Sequence, residues 1–342
     1  MNLTPYLNRV TLLKNIPVTA QIELTYRCPQ RCVHCYLPQT SGRAKTVPLR
    51  ELSTEEWEKV MLQLKGMGCL FLVLTGGEPL LRPDLAALCR RATKLGFAIK
   101  IFTSGAGLTR GLMAGLRGTN VSRFELSFYG PPHIHDPITG IKGSGLRALA
   151  AARALKKAGF RVKLKTPVMK ATVGELGYIA ALARKNGFEY AFDPTLTLAN
   201  DGERSNLSRR AGDRELEALL TDPVLNPVEN NASSTPAADS PVCGAGHNTV
   251  CVGPYGDIYP CLQLQIKLGN LRKKSLRRIW DSTPWLKKWR NTAVSDIKEC
   301  ASCADIEFCS RCPGVSLLEE GDIGKPYKTA CATAKIMHRI RP

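Results

Sequence analysis

The sequence predicts an α/β protein, a partial (β/α)6 barrel of the TIM type followed by a small cysteine-rich domain. Short apolar and β-branched runs alternate with helix-periodic segments between residues 19 and 192. Six such units are fewer than the eight that close a barrel, so one side is expected to be open. Eight of the 13 cysteines lie after residue 242, which marks the second domain.

The strand–helix units can be placed in order along the chain. The predicted strands cover residues 19–24, 70–74, 98–102, 123–127, 161–166 and 189–192. The predicted helices cover residues 54–67, 83–95, 110–116, 144–158 and 173–186, with a short one near 214–220. Ser53 and Glu56 form a capping-box pattern, and Gly96, Gly159 and Gly187 stand where helices end. Such units predict a parallel sheet whose strand carboxyl ends carry the active site.

Four regions are expected. Residues 1–18 lead into the barrel, residues 19–200 form it, residues 201–242 are a polar connector and linker, and residues 243–342 form the cysteine-rich domain. Residues 226–240 read NPVENNASSTPAADS, a composition typical of a flexible linker. The last region has too few apolar runs for a core of its own, so we expect it to need metals to fold.

The charge and composition narrow the function classes. The 48 lysines and arginines exceed the 29 acidic residues and give a formal charge of +19. Because the basic residues are spread along the chain, a solvated surface that attracts an acidic peptide is favoured over nucleic-acid binding. We find no apolar run of membrane-spanning length and no secretory signal, so a cytoplasmic location without membrane contact is expected. Metal ligation is then a better explanation of the cysteines than disulfides.

Three cysteines with metal-ligand spacing follow the first predicted strand. Cys28, Cys32 and Cys35 form a C-x3-C-x2-C pattern, and thiolates select zinc, copper(I) or iron–sulfur clusters. Three thiolates cannot complete a four-thiolate site, so an iron–sulfur cluster here would leave one iron open to a small molecule. A zinc site completed by His34 is the alternative.

Ligand-type residues also stand at the ends of the next three predicted strands. The second strand ends in Thr75, Gly76, Gly77 and Glu78, where glycines allow close approach of a ligand and a carboxylate can receive an ammonium group. Ser104 follows the third strand, and Ser127 ends the fourth. All of these residues are expected at one edge of the sheet.

The rear cysteines are numerous enough for two complete four-ligand sites. They are Cys243, Cys251, Cys261, Cys300, Cys303, Cys309, Cys312 and Cys331. A pair of zinc-ribbon sites beside a basic helix over residues 272–289 would instead indicate nucleic-acid binding. We expect Trp280, Trp285 and Trp289 in the core, and Cys69 and Cys89 as buried apolar residues.

The front half resembles the radical S-adenosylmethionine (SAM) enzymes in its cysteine loop, its Gly-Gly-Glu-Pro turn and its strand-end serine. The resemblance implies that Cys28, Cys32 and Cys35 hold a 4Fe–4S cluster whose fourth iron binds SAM, which is cleaved reductively to a 5′-deoxyadenosyl radical. It also implies SAM contacts: the methionine ammonium at Glu78 and the backbone of Gly76 and Gly77, adenine at the Tyr36 backbone, methionine or ribose at Ser127, and second contacts at Thr75 and Ser104. Relatives often carry an arginine after a His-Asp pair for the SAM carboxylate, but His135-Asp136 is followed by Pro-Ile-Thr-Gly. The carboxylate ligand therefore stays unassigned.

The rear half resembles the SPASM extension of radical SAM enzymes, through seven of its cysteines and Gly256 at the expected gaps. The resemblance implies two auxiliary 4Fe–4S clusters, which brings the total to three. Cys243, Cys251, Cys261 and Cys312, here named the first rear group, would hold one of them. Cys300, Cys303, Cys309 and Cys331, here named the second rear group, would hold the other.

The resemblance implies an oxidoreductase that matures a ribosomal peptide, with an intrapeptide crosslink as the favoured product and an external electron donor. Leu262 stands where sulfatase-maturing relatives carry a catalytic aspartate, which argues against that activity. About 18 residues precede the first strand, too few for a fused peptide-recognition domain, so a separate protein or the basic surface would present an acidic leader. No catalytic side chain is assigned. The alternatives are oxidation of a protein side chain, a small-molecule or cofactor precursor such as a tetrapyrrole, electron transfer alone, and a zinc-dependent nucleic-acid binder.

Overall fold

The computed structural model describes residues 4–37, 50–226 and 240–340. In this part of the chain, nine strands form one sheet in the order β6-β5-β4-β3-β2-β1-β7-β8-β9. The strands are β1 Thr19–Thr25, β2 Phe71–Gly76, β3 Ala98–Thr103, β4 Val121–Ser127, β5 Val162–Pro167, β6 Glu189–Asp193, β7 Thr249–Val252, β8 Asp257–Tyr259 and β9 Gly269–Asn270. All six strands predicted for the barrel are present and parallel, which confirms the α/β class.

The helices of the barrel follow the predicted order. They are α1 Thr4–Leu13, α2 Thr54–Gly66, α3 Leu85–Lys94, α4 Arg110–Leu116, α5 Pro132–Thr139, α6 Ser144–Lys157, α7 Leu176–Asn186, α8 Asn206–Arg209 and α9 Asp213–Thr221, with 3-10 turns at Pro79–Leu81 and Val173–Glu175. The capping box is confirmed, because Ser53 accepts a hydrogen bond from the Glu56 backbone and Glu56 accepts one from Ser53. Three of these helices, α1, α5 and the four-residue α8, were not predicted; α5 contains Pro137 and is too short for a clear period.

The rear segment contains five more helices. They are α10 Leu276–Ser282, α11 Pro284–Arg290, α12 Lys298–Ala301, α13 Pro313–Glu320 and α14 Lys328–Ile340, with 3-10 turns at Val294–Asp296 and Ile306–Phe308. The single helix expected over residues 272–289 is wrong, because Pro284 begins a second helix and cannot continue the first. Trp280 and Trp289 are buried, and Trp285 is half-buried and stacks on Trp289 with ring centroids 5.7 Å apart.

The sheet continues from the barrel into the cysteine-rich segment. β7 pairs with β1 in parallel, and β8 and β9 follow it as antiparallel strands. Val250, Val252 and Trp280 pack in the same core cluster as Ile22 of β1. The rear segment thus shares the core of the barrel, while the domain limits stay a prediction. Residues 227–239 of the expected linker lie outside the described residues.

The two faces of the barrel sheet differ in character. Phe124 and Leu126 of β4 are buried in the core between the sheet and the helices. The alternate residues Arg123, Glu125 and Ser127 are only partly buried and lie on the opposite, inner face. An inner face that reaches solvent is what an open barrel requires. None of the helices in the described ranges is long and apolar enough to cross a membrane.

Candidate active site

A cavity of about 210 Å³ lies at the carboxyl ends of the first four strands. Its wall comes from the loop after β1, the ends of β2, β3 and β4, and one rear residue. The lining residues are Cys28, Gln30, Cys32, His34, Cys35, Tyr36, Thr75, Gly76, Gly77, Phe102, Thr103, Ser104, Ser127, Tyr129 and Leu262. The fold therefore brings the three front cysteines together with every predicted SAM-contact residue except Glu78.

Glu78 is the one predicted contact that does not line the cavity. Its side chain is fully buried, and one oxygen accepts hydrogen bonds from Thr103 Oγ1 (2.6 Å) and Leu80 N (3.1 Å). The other oxygen accepts from Ser104 N (2.8 Å) and Ser104 Oγ (2.5 Å). Burial raises the pKa of this carboxyl group, and the Ser104 and Thr103 hydrogen bonds oppose the rise. Glu78 therefore ties the end of β2 to the end of β3, and its contact with the methionine ammonium of SAM stays a prediction.

The Gly76–Gly77 turn packs directly on the start of the cysteine loop. Gly76 has a φ of 117°, a left-handed conformation that favours glycine. A Cβ at Gly77 would lie 2.4 Å from the carbonyl oxygen of Arg27, and Gly77 N donates to the carbonyl oxygen of Thr25 at 2.7 Å. These glycines let the turn pack closely on the neighbouring backbone, which is how the two loops come to share one cavity wall, and their contact with a ligand stays a prediction.

Tyr129 is a cavity residue that sequence analysis did not single out. It is buried, its ring meets the ring of His34 edge-on at 5.0 Å, and its backbone N donates to His135 Nδ1 at 3.2 Å. Burial raises its pKa well above the usual value, and the neighbouring Cys32, Cys35 and Cys28 add to the rise. Its place two residues after Ser127, in the same strand-end segment, is the signal that could have identified it.

Glu23 is a second residue that sequence analysis missed. It lies on β1, is fully buried, and accepts hydrogen bonds from Tyr36 Oη (2.9 Å) and Tyr26 Oη (3.0 Å). Burial raises its pKa to about 7, while the two tyrosine hydroxyls oppose the rise. Its charge in turn contributes to the raised pKa of Cys251, where burial is the larger cause. Glu23 therefore lies between the loop that carries Cys35 and the first rear group.

The four cysteines of the first rear group are neighbours in the structure. Burial raises the pKa of Cys261 to about 12, with further contributions from Cys243 and Cys312, and Cys261 contributes in turn to the raised pKa of Cys251. The sulfur of Cys261 accepts a hydrogen bond from Leu264 N at 3.2 Å, and that of Cys243 accepts one from Ala245 N at 3.4 Å. Backbone N–H groups directed at sulfur are one feature that tunes thiolates bound to an iron–sulfur cluster, so the donor set fits such a group.

The second rear group forms a separate set of neighbours. Burial raises the pKa of Cys300, and the neighbouring Cys331 and Cys303 add to the rise. Burial also raises the pKa of Cys309, and Cys331 and Cys300 add to that rise. Cys303 and Cys331 are exposed, whereas Cys251 is fully buried. Within residues 4–37, 50–226 and 240–340, no three His, Cys, Asp or Glu side chains could hold a single metal ion.

The two remaining cysteines lie away from all three groups. Cys69 and Cys89 are fully buried in the barrel core, and burial raises the pKa of each thiol to about 12. Both are the buried apolar residues that the sequence predicts.

The rear segment reaches the front cavity through Leu262. This residue follows Cys261, lines the cavity, and its backbone N donates to Gln21 Oε1 on β1 at 2.6 Å. One cavity is therefore bounded by the front cysteines on one side and by the neighbour of a first-rear-group cysteine on another. The position that holds an aspartate in some relatives is apolar here and cannot accept a proton.

Comparisons with known proteins agree with this geometry. Residues 22–183 match the radical SAM superfamily, and residues 243–313 match the SPASM iron-sulfur cluster-binding domain. The AdoMet-dependent heme synthase of Methanosarcina barkeri is 27% identical over 337 residues, which cover 91% of this chain and 95% of that protein. The PqqA peptide cyclase of Ruegeria pomeroyi is 28% identical over 347 residues, which cover 95% and 89%.

Two solved structures share the fold. Streptococcus suis SuiB bound to precursor peptide SuiA has a TM-score of 0.72 at 17% identity, with 96% of this chain and 80% of that chain covered. Native anSMEcpe with bound AdoMet has a TM-score of 0.70 at 16% identity, with 95% and 96% covered. The match to an iron–sulfur cluster-binding domain argues against the alternative of a pair of zinc-ribbon sites. The chain is therefore a radical SAM enzyme with a C-terminal SPASM domain.

Proposed function

We propose that this enzyme uses SAM to modify a peptide oxidatively, with an intrapeptide crosslink in a ribosomal peptide as the product. The observation that carries the proposal is the shared cavity, where the front cysteines and Leu262, the neighbour of Cys261, bound the same space. A substrate held there would lie beside the auxiliary cluster that the first rear group would hold, and such a cluster could accept an electron from it. Relatives named PqqA peptide cyclase span nearly the whole chain, and SuiB has been solved with a precursor peptide.

The cofactor set of the proposal is three 4Fe–4S clusters and SAM. The front cysteines would hold the SAM-binding cluster, and the first and second rear groups would hold the two auxiliary clusters. When bound, the reduced front cluster and SAM together supply a carbon radical able to take hydrogen from unactivated positions. Tyr36, Thr75, Gly76, Gly77, Ser104 and Ser127 would contact SAM from the cavity wall. Glu78 would receive the methionine ammonium and would also hold Ser104 in place.

The surrounding side chains have two tasks in this proposal. Tyr129 and His34 pack edge-on beside the front cysteines and exclude water from that wall, which protects a reactive intermediate. Glu23 holds the hydroxyl of Tyr36 and so fixes the end of the cysteine loop against β1. Leu262 offers no proton acceptor at the position that serves as base in sulfatase-maturing relatives, which favours crosslinking over that reaction.

The proposed partners follow from the formal charge. With a formal charge of +19, the enzyme would attract an acidic leader peptide, either directly or through a separate peptide-recognition protein. An external donor would deliver electrons to the front cluster. These partners, and a cytoplasmic location, belong to the proposal.

The proposal is tested by mass spectrometry of a short peptide encoded beside this gene. The peptide is incubated anaerobically with the reconstituted enzyme, reductant and SAM, and 5′-deoxyadenosine is followed in the same tube. Loss of two hydrogens per modified site, with matching deoxyadenosine, supports oxidative crosslinking. Deoxyadenosine with every tested peptide unchanged contradicts the peptide proposal. As a control, replacement of Cys28, Cys32 and Cys35 by alanine should abolish SAM cleavage while the auxiliary clusters remain.

A tetrapyrrole or other cofactor precursor is the second candidate. The relative named AdoMet-dependent heme synthase matches this chain over 95% of its own length. This match supports a tetrapyrrole substrate as much as the matches to peptide cyclases support a peptide substrate. The same assay with a carboxylated tetrapyrrole separates the two. A mass change in the tetrapyrrole with matching deoxyadenosine would support this candidate.

A further inference from the structure

The inner face of the barrel sheet carries a band of basic side chains. In closed barrels this face is filled by layers of branched apolar residues. Here Lys100 of β3, Arg123 of β4, and Lys163 and Lys165 of β5 are only partly buried, and on β5 they alternate with core residues such as Leu164. An open barrel can keep such cations hydrated, and they give its interior a surface suited to an anionic ligand.

One of these cations lies at the level of the cavity. Lys165 is the register partner of Ser127, which lines the cavity. Neighbouring strands lie about 4.8 Å apart, so the two side chains start from adjacent points on the same face. Leu164 packs in the core on the helix side, which places Lys165 on the inner face.

The ion pairs of the band leave Lys165 available for a ligand. Arg123 lies 3.1 Å from Glu189 and 3.9 Å from Glu125, and Lys163 lies 3.7 Å from Glu189. The Lys165 carbonyl oxygen accepts from Phe128 N at 3.1 Å, but no ion pair or hydrogen bond of the described residues involves the Lys165 ammonium group. A half-buried ammonium group is stabilised by an anionic partner that accepts its hydrogen bond. The adjacent Ser127 hydroxyl can donate a second hydrogen bond to the same anion.

We propose that Lys165 and Ser127 form a carboxylate-binding subsite at the rim of the cavity. The carboxylate has two possible sources, the amino-acid end of SAM and an acidic side chain of the substrate. For the first source the inference rests on the proposed use of SAM in this cavity, and it assigns a cation to a SAM group that sequence analysis left without one.

The test compares ligands that differ only by the carboxylate. SAM and decarboxylated SAM are bound to the anaerobic reconstituted enzyme in equilibrium dialysis, without reductant. Wild type should prefer SAM, and Lys165→Met should weaken SAM binding about tenfold or more while leaving decarboxylated SAM unchanged. Lys165→Arg should restore the preference, because arginine also binds a carboxylate.

Lys100→Met is the matched control. Lys100 is also an inner-face lysine that forms no ion pair among the described residues, but it pairs in register with Arg123, four positions before Ser127. That separation is about 13 Å along a strand, so this variant should bind SAM as wild type does. A second arm measures binding of a glutamate-rich peptide and its glutamine twin to the same variants.

Each outcome decides the proposal. Loss of the preference for SAM in Lys165→Met assigns the subsite to SAM. Loss of glutamate-peptide binding with SAM binding intact assigns it to the substrate. If both arms are unchanged, or if Lys100→Met behaves in the same way as Lys165→Met, the subsite does not exist. Because no turnover is measured, a missing peptide product would count against the proposed function and leave this result standing.

Discussion

Replacement of Glu78 by alanine should destabilise the enzyme and weaken its binding of SAM. The buried carboxylate accepts four hydrogen bonds, from Thr103 Oγ1, Leu80 N, and both N and Oγ of Ser104. It connects the ends of β2 and β3, and three of its four donors lie on Thr103 and Ser104, which line the cavity. The variant removes that connection without touching the front cysteines.

The size of the effect follows from the donors that are left behind. The two hydroxyls can rotate toward other acceptors, but the backbone N–H groups of Leu80 and Ser104 cannot move. A buried donor without a partner costs about 1–3 kcal/mol. Two such donors cost about 2–6 kcal/mol. The variant also no longer has to bury a carboxylate, so the free energy of desolvating that group is regained and must be subtracted from this cost. We expect a net loss of about 3 kcal/mol in the free energy of unfolding.

The assay is urea unfolding of the reconstituted protein without oxygen, with SAM affinity measured on the same samples. Glu58→Ala is the matched control, because Glu58 pairs with Arg91 on the surface at 3.7 Å and its side chain is 41% exposed. The control should change stability by less than about 1 kcal/mol. A Glu78→Ala protein as stable as the control, with unchanged SAM affinity, would refute the structural role assigned to this carboxylate.

Three further predictions address the cysteines, the buried acid and the glycine turn. Cys312→Ala should make the other thiols of the first rear group reactive toward iodoacetamide, and Cys331→Ala should do the same for the second rear group. If mass spectrometry showed each variant labelled in the other group instead, the grouping would be wrong. The pKa of Glu23 is raised to about 7, so the folded state binds the extra proton and stability falls as pH rises from 4.5 through 7. In Glu23→Gln the free energy of unfolding, measured by urea titration, should fall by about 3 kcal/mol less over this pH range. The same pH dependence in the variant and the wild type would contradict the raised pKa of Glu23. Gly77→Ala should lower the melting temperature because its Cβ meets backbone, whereas Gly174→Ala, with nothing within 4 Å, should not; equal melting temperatures would disprove the packing argument.

Local patterns in the sequence predicted most of the strands and helices of the barrel. Strand and helix periods are properties of a few consecutive residues, so the six barrel strands and the capping box at Ser53 could be placed before any contact was known. The spacing of the cysteines is also local, and it indicated the chemistry of both halves. A helix interrupted by Pro284 and the proline-containing α5 were misjudged or missed, because their periodic signal is short.

The tertiary structure decided which residues face each other. The hydrogen bonds of the Glu78 carboxylate to Thr103 and Ser104 join the ends of β2 and β3, a contact that no local pattern encodes. The pairing of Lys165 with Ser127 depends on the register between two strands separated by two helices. The strand β1 that carries Glu23 is paired along one edge by β7, which comes more than 200 residues later in the chain. The sequence by itself thus determined the elements and the ligand types, while long-range strand pairing decided where each side chain points, because register and packing are set only when the whole core closes.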